Sequence, residues 1–266
     1  MQRNLVRCLG RLGKRSLHRS TGVCQKTADY LLPEEQTTPS SDLLDRALHI
    51  PQSLNQILPE DDPLLKEDYF GVSEMFTLKQ LFEARMHLGH KIGTLNPFMK
   101  PYLFGERLGV CIIDLEQTVL HLRTALNFLG HVAYRDGIIL FVGQDRANMT
   151  MIEKYALEAG VYCHTRQWRK GILTNSQDLF KDEVNLPDLI VFTKTHSAML
   201  YTHWAVVEAA KMTIPTMGLV DSNCDPTFVT YPVPGNDDTR QSVELFLRLC
   251  RDVILKATRL RKQHAP

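Results

Sequence analysis

The 266-residue chain has no apolar run approaching the roughly 18–20 residues a bilayer-spanning helix needs, so no membrane span is expected. Cysteine is sparse and scattered: six thiols, at 8, 24, 111, 163, 224 and 250, include no Cys-x-x-Cys pair. That spacing excludes a zinc ribbon and a disulfide frame, and it suits buried or incidental thiols in a reducing compartment. Glycines are missing where nucleotide chemistry would require them. After "GIILFVG" the chain continues Gln144-Asp145-Arg146 with no Lys-Ser or Lys-Thr, and no glycine follows "VCIID". The P-loop and the dinucleotide fingerprint are therefore both absent, since each needs backbone N–H groups brought close to phosphate. No Gly-x-Ser-x-Gly elbow presents a nucleophilic serine.

Acid is missing from one segment and crowded into the next. Residues 1–28 carry seven Arg or Lys and no Asp or Glu, with leucines and hydroxyl residues interleaved. An acid-free, Arg-rich amphipathic start is the signature of a mitochondrial presequence; a basic nucleic-acid arm is the plainer alternative. Residues 27–68 invert the sign, with ten acids against Arg46 and Lys66. This acidic, proline-containing extension, taken as 29–68, is expected to be extended or disordered alone, because its short apolar bursts cannot form a core. The remaining 69–266 holds 22 Lys or Arg against 20 Asp or Glu, so any surface for a polyanion must be a local patch.

Within 69–266 the periodicity alternates. "TLKQLFEARMHLG" (77–89) predicts a helix closed by Gly89, and "VCIIDL" (110–115) a short strand. Leu115, Val119, Leu122, Leu126, Leu129 and Ala133 then mark one face of a five-turn helix that Asp136-Gly137 stops. "GIILFVG", "VYC", "LPDLIVFTK" and "IPTMGLVD" read as strands; "QDRANMTMIEKYALEAG" and "SAMLYTHWAVVEAAKM" read as helices between them. A last helix keeps Val243, Phe246, Leu247, Cys250, Ile254 and Ala257 on one face and ends basic. Strands alternating with long helices predict a parallel, doubly wound α/β sandwich.

Two polar clusters are candidates for chemistry. Asp221, Asp225, Asp237 and Asp238 lie beyond a strand's carboxyl end, where they could hold a divalent metal in an α/β enzyme. The competing reading makes them turn and cap residues, with Asp237 after Asn236 at the N-cap of the last helix. His87 and His90 in "HLGH" are expected as a hydrogen-bonded pair at a helix terminus rather than metal ligands. Nucleic-acid contact has more support. Acid-free stretches carry Arg85, Lys91 and Lys100 with Asn96, Phe98, Tyr102 and Phe104, and then Arg166, Arg169 and Lys170 with Tyr162, His164 and Trp168. Cations attract phosphate, and aromatics stack on exposed bases.

The blocks "HLGHKIGTLNPFMKPYLFGERLGVCIIDLEQT", "GIILFVGQDR", "RKGILTN", "LPDLIVF", "IPTMGLVDSNCDP" and "YPVPGNDD" occur in this order. Across roughly 74–258 they resemble the S-two family of small-subunit ribosomal proteins, and the presequence suggests its mitochondrial branch. The resemblance implies a Rossmann-like or flavodoxin-like three-layer α/β sandwich with a mainly parallel sheet, without enzymatic activity, cofactor or small-molecule substrate. It implies mitochondrial small-subunit rRNA and neighbouring small-subunit proteins as partners, in the mitochondrial matrix. Carried over by position, it nominates Lys91, Asn96, Lys100, Arg107, Arg146, Arg166, Arg169, Lys170 and Asn175 for RNA contact. Two departures stand out: Lys170 replaces a usual glycine, and only "SQDLFKDEVN" stands where bacterial members insert a long helical hairpin.

Overall fold

The computed structural model describes residue 64 and residues 66–181, 184–198 and 201–264. All of them belong to one unit, Glu60–Pro266; the other, Met1–Pro59, lies outside the described residues, as do the presequence and most of the acidic extension.

Strand residues here alternate between two cores, which explains their continuous apolarity. In β6 (Leu189–Phe192), Leu189 and Val191 join one core while Ile190 and Phe192 join the other. β4 (Ile139–Val142) divides in the same way, with Ile139 and Phe141 facing one side and Leu140 and Val142 the opposite side. A strand covered on both faces has no solvated side to make polar. With β5 (Tyr162–His164), β9 (Thr216–Val220) and β10 (Tyr231–Pro234), these strands form a parallel sheet in the order β10-β9-β6-β4-β5. Counted along the chain that is order 2-1-3-4-5, the flavodoxin-like winding, and its direction reverses between β4 and β6.

On one face lie α2 (Leu115–Tyr134), α3 (Met149–Ala159) and α6 (Arg240–His264). The α2 stripe read from the sequence is buried at Leu115, Leu122, Leu126, Leu129 and Ala133, and all six residues predicted for the α6 face are buried. The other face is covered by α5 (Trp204–Lys211) and by loop residues including Met99, Trp168 and Leu173. Entry to the body is tied down early: the Asp68 carboxylate accepts from the N–H of Val72 and Ser73, and Asn127 Nδ2 donates to Glu67 O.

Three elements differ from the periodicity reading. The helix expected over 77–89 is only α1 (Leu78–Glu83), opened by a Thr77–Gln80 capping box. Arg85 turns to φ +61, and Asn236 donates to the Met86 and Arg85 carbonyls, so tertiary bonds pull the chain out of the helix. "LGHK" becomes β1 (Leu88–Lys91), where Gly89 stops no helix; a Cβ there would stand 2.8 Å from Ser222 Oγ, so the glycine admits close docking. "VCII" is a strand, β3 (Val110–Ile113), but it lies outside the parallel sheet, between β1 and β2 (Leu103–Arg107) in a separate antiparallel sheet. Finally, the helix read over 197–212 is a β7 (His196–Ala198) and β8 (Tyr201–Thr202) ribbon followed by α5. His203 starts that helix, its Nδ1 accepting from Ala205 N–H. The short α4 (Ser176–Phe180) is the helix described in the connection where the hairpin is missing.

Candidate nucleic-acid interface

The carboxyl ends of the parallel strands collect the polar residues. At the reversal point, where a doubly wound enzyme keeps its ligand crevice, Gly143 and Thr193 follow β4 and β6 side by side. A methyl on Gly143 would overlap the Thr193 and Ile152 side chains, and Thr193 N–H donates to Val142 O at 3.1 Å. At this point the two strand ends are close-packed.

Beyond β9 and β10 the acids satisfy one another's partners. Asp221 accepts from Ser222 N–H at 2.5 Å, and its second oxygen lies 3.1 Å from His90 Nδ1, off the ideal hydrogen-bond direction. His90 Nε2 sits 3.1 Å from Asp238, which also binds Lys194 Nζ at 2.5 Å; Asp237 is 3.8 Å from the same ammonium. Asp225 accepts from Thr227 N–H and Oγ, capping the turn at 226–228. Asn236 Oδ1 accepts from the N–H of Asp238 and Thr239, and Ser242 Oγ donates to its carbonyl. The N-cap reading of Asp237 is therefore corrected: the carboxyl is buried, and Asn236 is the side chain that organises the turn into α6. Among the described residues no His, Cys, Asp and Glu side chains group as a metal site.

The histidines part company. His87 stacks on Phe82 at 4.4 Å, and burial lowers its pKa. His90 is raised, chiefly by Asp221, against the opposing pull of burial. They are not a bonded pair at a helix end, because the segment between them is strand. Burial drives Asp237 up to about 7, with Asp221 adding to the shift and Lys194 opposing it. Burial would lower Lys194, but Asp237 and Asp238 outweigh it.

Linkage gives these shifts a sign. A histidine whose folded pKa is raised stabilises the fold fully below its ordinary value of 6.5 and ceases to as pH climbs through the raised value. Asp237, protonated in the fold up to about 7, works in the same direction there. Burial lowers His164, His196 and His203, which oppose this only below 6.5. The melting temperature should therefore fall as pH rises from about 6.5 through 7 and beyond, and His90→Gln should flatten that fall. A wild-type curve that is level over this window would remove His90 as the charged link between the two sheets.

That link matters because β1–β3 carries the first basic group. His90 N–H donates to Ser222 Oγ at 2.8 Å and Asn96 N–H to Ser222 O at 2.9 Å, docking this small sheet beyond β9. Lys91 and Arg107 are exposed on it, and Lys100 is exposed in the adjoining turn at 97–102. Asn96 is half-buried and spends its side-chain oxygen on Phe98 N–H, shaping the turn at 97–102. The second group follows β5: Arg166, Arg169 and Lys170 are exposed, with Lys170 Nζ 3.9 Å over the Trp204 ring and Asn175 exposed at the start of α4. Arg146, after the neighbouring β4, is exposed in a turn held by Asp145. Three strand spacings, about 15 Å, separate the ends of β9 and β5 along one edge. Trp168 is buried between His164 and His203, so it packs the core instead of stacking on a base.

Two supporting residues escaped the sequence reading. Lys194, the one charge directly after buried β6, was legible only as a polar end to an apolar run. Glu208 is buried on α5 among Ala205, Val206 and Ala209, and accepts from the N–H of Gly171 at 2.6 Å and Leu173 at 3.2 Å. Its signal was an acid on an apolar helix face.

A family model described as Ribosomal protein S2 matches residues 81–186 and 179–257. The chain belongs to the ribosomal protein S2 family. It is 51% identical over 202 residues to small ribosomal subunit protein uS2m of Bos taurus, covering 76% of this chain and 69% of that protein. It is 34% identical over 223 residues to small ribosomal subunit protein uS2 of Rhodospirillum centenum, covering 68% and 84%. For uS2 of a Nitratiruptor species the values are 31% over 228 residues, 71% and 85%. Both bacterial alignments run longer than the share of this chain they use, and the family match breaks around 179–186, at the short connection before β6. As a member of this family the chain is a structural ribosomal protein and not an enzyme, which sets aside metal chemistry at Asp221–Asp238.

Proposed function

We propose that this chain is a structural constituent of the mitochondrial small ribosomal subunit that lies along small-subunit rRNA with its carboxyl edge. The observation that carries this reading is the convergence of cations from separate segments on one edge of the sheet. Lys91, Lys100 and Arg107 form one phosphate-binding group; Arg146, Arg166, Arg169 and Lys170 form the other, with Asn175 beside it. Asn96 holds the first group's turn in shape. Pro97 and Pro101 limit the freedom of the same stretch, so little ordering entropy is lost on docking. Residues 1–28 direct the chain to the matrix, and the acidic 29–68 segment engages a neighbouring protein, since its charge repels RNA.

Sedimentation of organelle lysate tests this. The chain should co-migrate with the small subunit and leave it after nuclease or high salt. Migration as a free monomer, indifferent to nuclease, would overturn it.

A further inference from the structure

The strand register sorts the side chains of the β1–β3–β2 sheet. In β3, Cys111 and Ile113 are buried against the body, so Val110 and Ile112 face outward. Lys91 and Arg107 both pair with Val110, one from each side, and their side chains leave the sheet on that outward face. Two strand spacings put their backbones about 10 Å apart. In β2 the register slips between Leu103, paired with Ile113, and Gly105, paired with Ile112. This bulge places Phe104 and Gly105 on the same outward side, and a bulge is a device for re-aiming a side chain. Phe104 is 81% exposed. Beside it Gly105 leaves the space over the sheet open, with nothing within 4 Å of where its Cβ would stand. At the hairpin tip Leu108, 95% exposed, holds φ +54, a backbone conformation that suits glycine or asparagine better than leucine.

Resting on the RNA reading above, we infer that this outward face is a site for an unpaired nucleotide. Phe104 stacks on its base, and Lys91 and Arg107 hold the flanking phosphates. The chemistry selects the occupant. An apolar protein surface laid here would have to desolvate one ammonium and one guanidinium group without neutralising them. RNA supplies phosphate to both. An exposed ring meets a base through its face, and base faces are free only outside the duplex, because A-form RNA shows side chains its shallow groove and backbone. Stacking tolerates any sequence.

Binding of the full chain to two labelled RNAs, a short unstructured oligoribonucleotide and a fully paired duplex of equal length, tests the inference by fluorescence anisotropy over a salt series. Phe104→Ala should weaken binding to the unstructured RNA roughly 5- to 100-fold without changing the salt slope, and Phe104→Trp should restore it. Duplex binding should be unaltered by either. Combined Lys91→Ala and Arg107→Ala should instead reduce the slope by about 1.4, two phosphates' worth on a single strand. Because the ring is 81% exposed, its removal leaves the core intact, and a melting curve confirms this. The inference falls if Phe104→Ala binds the unstructured RNA as wild type does, or loses both RNAs equally. It also falls if the variant fails to enter small subunits with its RNA affinity unchanged, which would assign the hairpin to a protein neighbour. Wild-type chain that binds neither RNA would remove the RNA reading as well; wild-type binding with a silent Phe104→Ala removes the stacking site alone.

Discussion

Reversing three charges together, Lys91→Glu, Lys100→Glu and Arg107→Glu, should lower affinity for small-subunit RNA at least about 100-fold at physiological salt and deplete the chain from small-subunit fractions. Hydrogen bonds to charged groups contribute about 1.5–3 kcal/mol each, so three lost phosphate contacts exceed 4 kcal/mol before the new carboxylates add repulsion. The slope of log affinity against log salt should fall by about 2 to 2.7, three phosphates at roughly 0.7 to 0.9 each. All three side chains are exposed, so the melting transition should stay at the wild-type position. A loss smaller than about fivefold, with folding intact, would move the RNA contact elsewhere on the molecule.

Removal of Glu208 should act on the second basic group without touching RNA. The carboxylate is 4% exposed and is the acceptor for Gly171 and Leu173 N–H, so it fixes the loop that presents Arg166, Arg169 and Lys170. Glu208→Ala leaves two donors without that acceptor, at about 1–3 kcal/mol each, and should destabilise the fold by about 2–6 kcal/mol. Amide exchange at Gly171 and Leu173 should accelerate along with it. Glu208→Gln keeps one carbonyl oxygen and should lie between. A denaturation midpoint within experimental error of wild type would show that the loop is held by Trp168 and Leu173 packing alone.

What could be read in advance follows from where periodicity is decided. α2 and α6 bury one stripe each against the sheet, and β4 and β6 are covered on both faces, so local pattern and final environment agree. Residues 77–91 are different. Their apolar spacing suits a helix, but Arg85 turns and Asn236, some 150 positions away, claims the Met86 carbonyl. No local signal encodes that bond. The same holds for Asp237, whose place in the sequence suggests a cap while its charged neighbours, Lys194 and Asp221, follow other strands. Lys91, Lys100, Arg166, Arg169 and Lys170 stand out locally as cations in acid-free stretches, whereas Arg107 beside Glu106 and Arg146 beside Asp145 come only with the family resemblance. Their scaffolding is not local: Glu208 and Ser222 matter through backbone N–H and C=O groups that sequence cannot place.

The occluded junction after β4 and β6 bears on what such a body does under load. Close-packed side chains yield little to compression, because every atom already rests against another. With Thr193 and Ile152 seated where Gly143 leaves room, a push on one end of the sheet reaches the other without first collapsing a gap. The sheet is therefore stiff where β4 and β6 end.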